Sequence, residues 1–170
     1  MIKLMDNVHQ QLYVSARMAY PAEACGLLVT PCVDGPQFPV TGPNPVEPKG
    51  AEAFGDSRIT IVDFLPAENA APPHLRNSRF QMEPRFILDA QRRCRERSRE
   101  IAGVFHSHPD HIPVPSATDL REAWPIYLYL ILHVRQDGFG SLMAWRLATQ
   151  GGGFDPLQIS ASQALPPARI

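Results

Sequence analysis

The stretch from residue 100 to residue 119 constrains this chain more than any other. Glu100-Ile101-Ala102-Gly103-Val104-Phe105-His106 reads as a short apolar strand. Side chains two apart on a strand point the same way, so a strand that runs on through His108 aims His106 and His108 at one point. Pro109 has no amide to give to a sheet ladder and ends the strand. Pro109, Pro113 and Pro115 stiffen the loop that follows. Ser116-Ala117-Thr118-Asp119 then has the S-x-x-D form of a helix start, which puts Asp119 in the first turn. A loop of this length can fold that turn back over the strand end and set Asp119 beside the two histidines. Two imidazoles and a carboxylate suit zinc, and three protein ligands leave a fourth position open, as a catalytic site requires. Each half also has a plainer reading. An H-x-H pair alone can be incidental. Ser116 with Asp119 alone is a capping box, and a metal ligand is not expected to serve as a good cap as well.

The rest of the chain reads as alternating helices and strands. Val8, Leu12, Ala16 and Ala19 recur at helical spacing, so residues 6–19 are expected to be a helix capped by Asp6 and ended by Pro21. Residues 25–30 and Ile59–Leu65 read as strands. Residues 31–58 are rich in proline, glycine and acids and read as an insertion or flap, with one strand around Phe38–Val40. That segment is a candidate gate over the cleft, or a contact with a second copy in a homodimer. Glu83-Pro84 opens a second helix with Ile87, Ala90 and Cys94 as its apolar stripe. Arg92, Arg93, Arg95, Arg97 and Arg99 give it a basic end, either a solvated face that complements the helix dipole or a dock for an acidic partner. Ile126–Val134 is almost continuously apolar and reads as a central strand buried on both faces. His133 within it reads as structural, and His111 as a loop residue in water. Leu142–Leu147 is a further strand. The whole is expected to be a three-layer α/β domain, a mixed curved sheet flanked by helices. Residues 1–148 are expected to form the main domain, which carries the candidate site, and 149–170 a C-terminal strand with a frayed tail.

A chain of 170 residues fits one domain with a sizeable core. A net charge of −1 gives no general nucleic-acid footprint. No apolar run approaches the roughly 20 residues of a membrane span. No basic stretch followed by an apolar core opens the chain, so a cytoplasmic setting is expected. Cys25, Cys32 and Cys94 do not make a disulfide framework, and none has a histidine nearby in sequence to activate it.

The motif His106-Ser107-His108-Pro109, with Ser116 and Asp119 in fixed register behind it, resembles the signature of the JAMM (MPN+) metallopeptidase family. That signature also has an upstream glutamate in a segment like Y-P-x-E-x-C-G-x-L. Here Tyr20-Pro21-Ala22-Glu23-Ala24-Cys25-Gly26-Leu27-Leu28 matches it. The resemblance covers roughly residues 5–147 and implies the MPN, or cytidine-deaminase-like, fold. It implies that His106, His108 and Asp119 hold Zn²⁺. It implies that Glu23 is the general base and acid, and that Ser116 steadies the oxyanion. Read alone, Glu23 is a solvated carboxylate at a strand entry, but the apolar Leu27-Leu28-Val29 that follows places it at a sheet end, where sites are built.

The resemblance further implies hydrolysis of a peptide or isopeptide bond after the Gly-Gly tail of a ubiquitin-like protein. Such a tail can lie as a strand on a sheet edge, and only glycine lets a backbone pass so close to a metal. Relatives that cut ubiquitin chains carry an insertion after the active-site helix. Only Trp124 and Pro125 separate Ala123 from the strand at Ile126, which argues against linkage-specific deubiquitination. The short form is more similar to bacterial members that trim a ThiS/MoaD-like sulfur carrier. The competing readings are a deubiquitinase-like isopeptidase and a non-catalytic MPN scaffold for protein partners. A zinc nucleoside deaminase would need H-x-E and P-C-x-x-C, and the chain has neither.

Overall fold

The computed structural model describes residues 1–32, 58–148 and 152–160. The described elements are β1 (Ile2–Leu4), α1 (Asp6–Ala19), β2 (Cys25–Pro31), β3 (Ile59–Ile61), β4 (Asp63–Ala67), α2 (Pro84–Arg95), β5 (Arg99–Pro109), α3 (Ala117–Glu122), β6 (Leu128–Arg135), β7 (Gly138–Leu147), β8 (Phe154–Leu157) and β9 (Ile159–Ser160). A six-stranded sheet runs in the order β4-β2-β5-β6-β7-β8, and a small sheet in the order β3-β1-β9. Within the larger sheet β5 and β6 are parallel, and the other neighbours are antiparallel.

Alternation along β6 explains the three layers. Leu128, Leu130, Leu132 and Val134 join Val8, Leu12 and Ala16 of α1 in one core. Tyr129 and Ile131 join Ala90 and Cys94 of α2 in the other. A strand buried on both faces has to be apolar where it is buried, as Leu128–Leu132 is. The expected three-layer α/β architecture is therefore what the chain adopts.

One irregularity sets the phase of the site. Leu28 pairs with Gly103 but Val29 pairs with Ile101, so Ala102 is an extra residue on β5. A bulge shifts the facing of everything beyond it by one position. Ala102 packs in the α1 core, whereas Val104 packs in the α2 core. His106 and His108 continue the Val104 phase. Gly103 is needed beside the bulge, because a Cβ there would land on the carbonyl oxygen of Leu128.

Several expectations need correction. Ile59–Leu65 is not one strand. β3 pairs with β1 and β4 pairs with β2, and the break falls at Val62, whose amide turns to the Val29 carbonyl at 2.9 Å. Asp6 is the first helical residue rather than the cap. Met5 takes the cap position without a side-chain bond, and Asp6 supplies the acid of the first turn. Arg99 belongs to β5, where it pairs with Asp63 at 3.1 Å. The small sheet was not expected at all. The strand around 38–40 and most of the 31–58 segment lie outside the described residues, as does the tail from 161. All three cysteines are free. No described helix is long and apolar enough to cross a membrane.

Candidate metal centre

β5 delivers the two histidines and α3 delivers the carboxylate. His106 and His108 are buried, and their Nε2 atoms stand 3.1 Å apart. Asp119 Oδ1 lies 3.4 Å from His106 Nε2, and Oδ2 lies 3.8 Å from His108 Nε2. One ligand atom from each of the three falls within 4.8 Å of the others. A four-coordinate ion with bonds of about 2 Å separates its ligand atoms by roughly 3.3 Å. The three donors thus fit one small cation.

The tautomer of His108 suits that task. Its Nδ1 donates to the Ile112 carbonyl at 2.8 Å, which leaves the Nε2 lone pair facing the cluster. His106 is oriented differently. Its ring stacks on Phe80 at 4.7 Å between centres, and its buried Nδ1 has no hydrogen-bond partner among the described residues. The loop between β5 and α3 is fixed by Trp145, whose Nε1 donates to the Pro113 carbonyl at 3.0 Å.

Asp119 does two jobs that the sequence set against each other. Its Oδ2 accepts from the Ser116 amide at 2.6 Å, while Ser116 Oγ accepts from the Asp119 amide at 3.1 Å. This reciprocal capping box leaves Oδ1 turned to His106. The cap holds Oδ2, itself 3.8 Å from His108 Nε2, and leaves Oδ1 to His106, so the cap is what aims the carboxylate. Ser116 sits at the cap and is exposed.

Glu23 is 5 % exposed and just precedes β2. Cys25 pairs with His106, so continuing that register sets Glu23 across from His108 on the same face. Ser107 locks this register from the opposite face. Its Oγ accepts from the Ala24 amide at 2.9 Å, and its own amide donates to the Ala24 carbonyl at 3.0 Å. The charges follow from crowding. Burial pushes the Glu23 carboxyl up to about 8; His108 opposes the rise and Asp119 adds to it. Burial would also raise Asp119, but the facing histidines and the Ser116 bond hold it far below the carboxylate range. Burial lowers His106. Burial works against a proton on His108 too, yet Asp119, the Ile112 carbonyl and Glu23 outweigh it and raise its pKa.

His133 and His111 stand outside the cluster. His133 is half-buried, with its ring where a Cβ on Gly140 would sit, and His111 is exposed. Burial pushes the Cys25 thiol up to about 12, which removes it as a nucleophile. Sequence reasoning missed Ser107, Phe80, Asn69 and Trp145. Only Ser107 carried a signal, as the middle residue of H-S-H. The others reach the site through folding alone.

The model of the family described as prokaryotic homologs of the JAB domain matches residues 5–148. The chain belongs to the prokaryotic JAB family. It is similar to a desampylase of Haloferax volcanii, 30 % identical over 119 residues that cover 69 % of this chain and 81 % of that one. It is also similar to a desampylase of Pyrococcus furiosus, 34 % identical over 98 residues that cover 56 % of this chain and 63 % of that one. Two solution structures share the fold. A Desulfitobacterium hafniense protein gives a TM-score of 0.69 at 27 % identity, covering 97 % of this chain and 95 % of that one. A Salinibacter ruber protein gives 0.62 at 28 % identity, covering 96 % and 95 %.

Proposed function

We propose that this JAB protein is a zinc-dependent peptidase or isopeptidase that hydrolyses the bond after the Gly-Gly tail of a ubiquitin-like protein, with a ThiS/MoaD-like sulfur carrier as the favoured substrate. The observation that carries the reading is the convergence of His106 Nε2, His108 Nε2 and Asp119 on one point, with buried Glu23 across from His108. The relatives named desampylase support the hydrolase class and a substrate that resembles ubiquitin.

His106, His108 and Asp119 would hold the Zn²⁺, which supplies Lewis acidity and lowers the pKa of water to about 7. Glu23 takes the proton of the attacking water and passes it to the leaving amine. Burial raises the Glu23 carboxyl and so strengthens it as a base, which suits a group that must both take and return a proton. The Ser116 hydroxyl donates toward the carbonyl oxygen as charge develops on it, a contribution on the order of 3 kcal/mol in comparable sites. Asp119 stays ionised throughout, because its surroundings favour the anion.

A groove of about 780 Å³ runs to Glu23 between α1 and β4, with Gln10, Val14, Met18, Phe64 and Pro66 among its lining. β4 ends the order of described strands in the larger sheet, so an extended tail can lie along it on the way to the site. On the far side, α3 ends at Glu122 and β6 begins at Leu128. That short connection favours removal of a tail extension over recognition of a second ubiquitin.

The test uses a carrier protein ending in Gly-Gly, extended by a few residues or joined to a lysine side chain. Zinc-loaded protein should release the intact Gly-Gly end, and a chelator or Glu23→Gln should stop the reaction. Free cutting of unrelated peptides without release of any carrier tail would refute the substrate. Full activity of Glu23→Gln would refute the mechanism.

A further inference from the structure

We propose that Asn69 is a positioning residue of this site: it fastens the main chain of Glu23 to the loop that carries Phe80, so the proton carrier and the His106 ring share one support. The inference rests on the reading of Glu23 given above.

Asn69 lies just beyond β4 and is buried. A side-chain amide offers two donor hydrogens and two acceptor lone pairs. Asn69 uses all four. Its Nδ2 donates to the Glu23 carbonyl at 3.0 Å and to the Arg79 carbonyl at 2.9 Å. Its Oδ1 accepts from the Ala71 amide at 3.0 Å and the Gln81 amide at 3.2 Å. Two carbonyls and two amides allow only this orientation of the group. The Ala70 amide adds a backbone tie to the Gln81 carbonyl at 2.8 Å, closing the 69–81 loop.

Both polar groups of the Glu23 main chain end on that loop. The carbonyl takes the Asn69 donor, and the amide donates to the Arg76 carbonyl at 2.6 Å. Phe80 stands between the two loop residues that Asn69 grips, Arg79 and Gln81, and stacks on His106. Removal of the amide therefore leaves the Glu23 backbone tied to the loop by its bond to Arg76, and takes from the Phe80 segment the ties at Arg79 and at the Gln81 amide. Ser107 continues to hold Ala24, so β2 stays in register and the change is confined to the site.

Asn69→Ala tests this, with Asn69→Asp as an isosteric second variant that keeps the acceptor and loses both donors. The expected result is a kcat lower by about 10- to 100-fold, with KM within about threefold and zinc content unchanged. In a Glu23→Gln background the same substitution should add almost nothing, since the group it positions is already gone. Val8→Ala, in the α1 core, controls for loss of stability and should leave kcat alone. Amide exchange gives a readout independent of activity. The Glu23 amide, which Asn69 does not touch, should lose protection. A kcat that falls no further than in the control, full additivity with Glu23→Gln, or unchanged protection at Glu23 would each overturn the proposal. So would failure of both variants to fold, which assigns Asn69 to the fold alone. Should Glu23→Gln itself be fully active, the reading of Glu23 fails, and amide exchange alone decides whether Asn69 holds the segment.

Discussion

Glu23 and Asp119 are two carboxyls in one site pushed in opposite directions, and each direction has a consequence for stability. Glu23 is raised from 4.5 to about 8, chiefly by burial. A carboxyl raised on folding favours the folded state while protonated, and that stability is lost as pH climbs from the unfolded pKa through the folded one. Glutamine has the same size and never ionises. In metal-stripped protein, Glu23→Gln should thus be more stable than wild type above pH about 8, by up to a few kcal/mol, at about 1.4 kcal/mol per pKa unit. The gap should close toward pH about 5. Urea midpoints across that range measure it, and a gap that widens on acidification would refute the burial argument. Asp119 runs the other way, with stability present above its unfolded pKa and lost in acid. Its cap is a separate contribution. Ser116→Ala should cost about 1 kcal/mol in metal-stripped protein, measured by chemical denaturation. It should also weaken zinc binding, because the cap aims the carboxylate.

At the level of elements, the loop between β5 and α3 decides whether three donors meet. It is pinned at each stage: Tyr20 donates to Asp110 at 2.9 Å, His108 to the Ile112 carbonyl at 2.8 Å, and Trp145 to the Pro113 carbonyl at 3.0 Å. Trp145→Phe keeps the ring packing and leaves the Pro113 carbonyl without its donor. We expect a loss of about 1–3 kcal/mol in denaturation. Zinc affinity should drop with it, and an unchanged affinity would show that the loop holds its shape without the indole. These ties also explain what the sequence could and could not say. The meeting of His106, His108 and Asp119 was legible because it depends on local rules: strand alternation, proline as a stop, and S-x-x-D as a helix start. Trp145, Phe80 and Asn69 were not legible, because the contacts that tie them to the site (Pro113, His106 and Glu23) lie far off in sequence and their residue types serve equally well as core or turn. The same limit hid β1, β9 and the pairing of β3 with β1. Strands of a few residues carry too little periodicity to declare themselves, and only their mutual pairing defines them. The split of Ile59–Leu65 was invisible for a related reason, since both halves read as extended chain and only the pairing partner differs.

For the whole molecule, the proposed cation would bind on one side to β5 of the larger sheet and on the other to the first turn of α3. Those parts are also joined by the 110–116 loop and, beyond α3, by β6, which pairs with β5. A ligand that binds the folded state alone stabilises it by mass action, about 2.7 kcal/mol when free zinc is a hundredfold above its dissociation constant. Zinc should therefore raise the thermal midpoint, and a chelator should reverse the rise. His106→Ala, His108→Ala and Asp119→Ala should each abolish the zinc response, whatever they do to the metal-free midpoint. The response should also depend on pH. Asp119, the Ile112 carbonyl and Glu23 favour a proton on His108, and that proton competes with the metal for the imidazole. Zinc should accordingly stabilise the protein more at about pH 8 than at about pH 6, with protons released on binding. Scanning calorimetry with and without zinc at the two pH values, beside the three variants, separates the outcomes. An equal shift at both pH values would mean that His108 does not receive the metal. A full shift in Asp119→Ala would mean that the ion binds somewhere other than the point on which β5 and α3 converge.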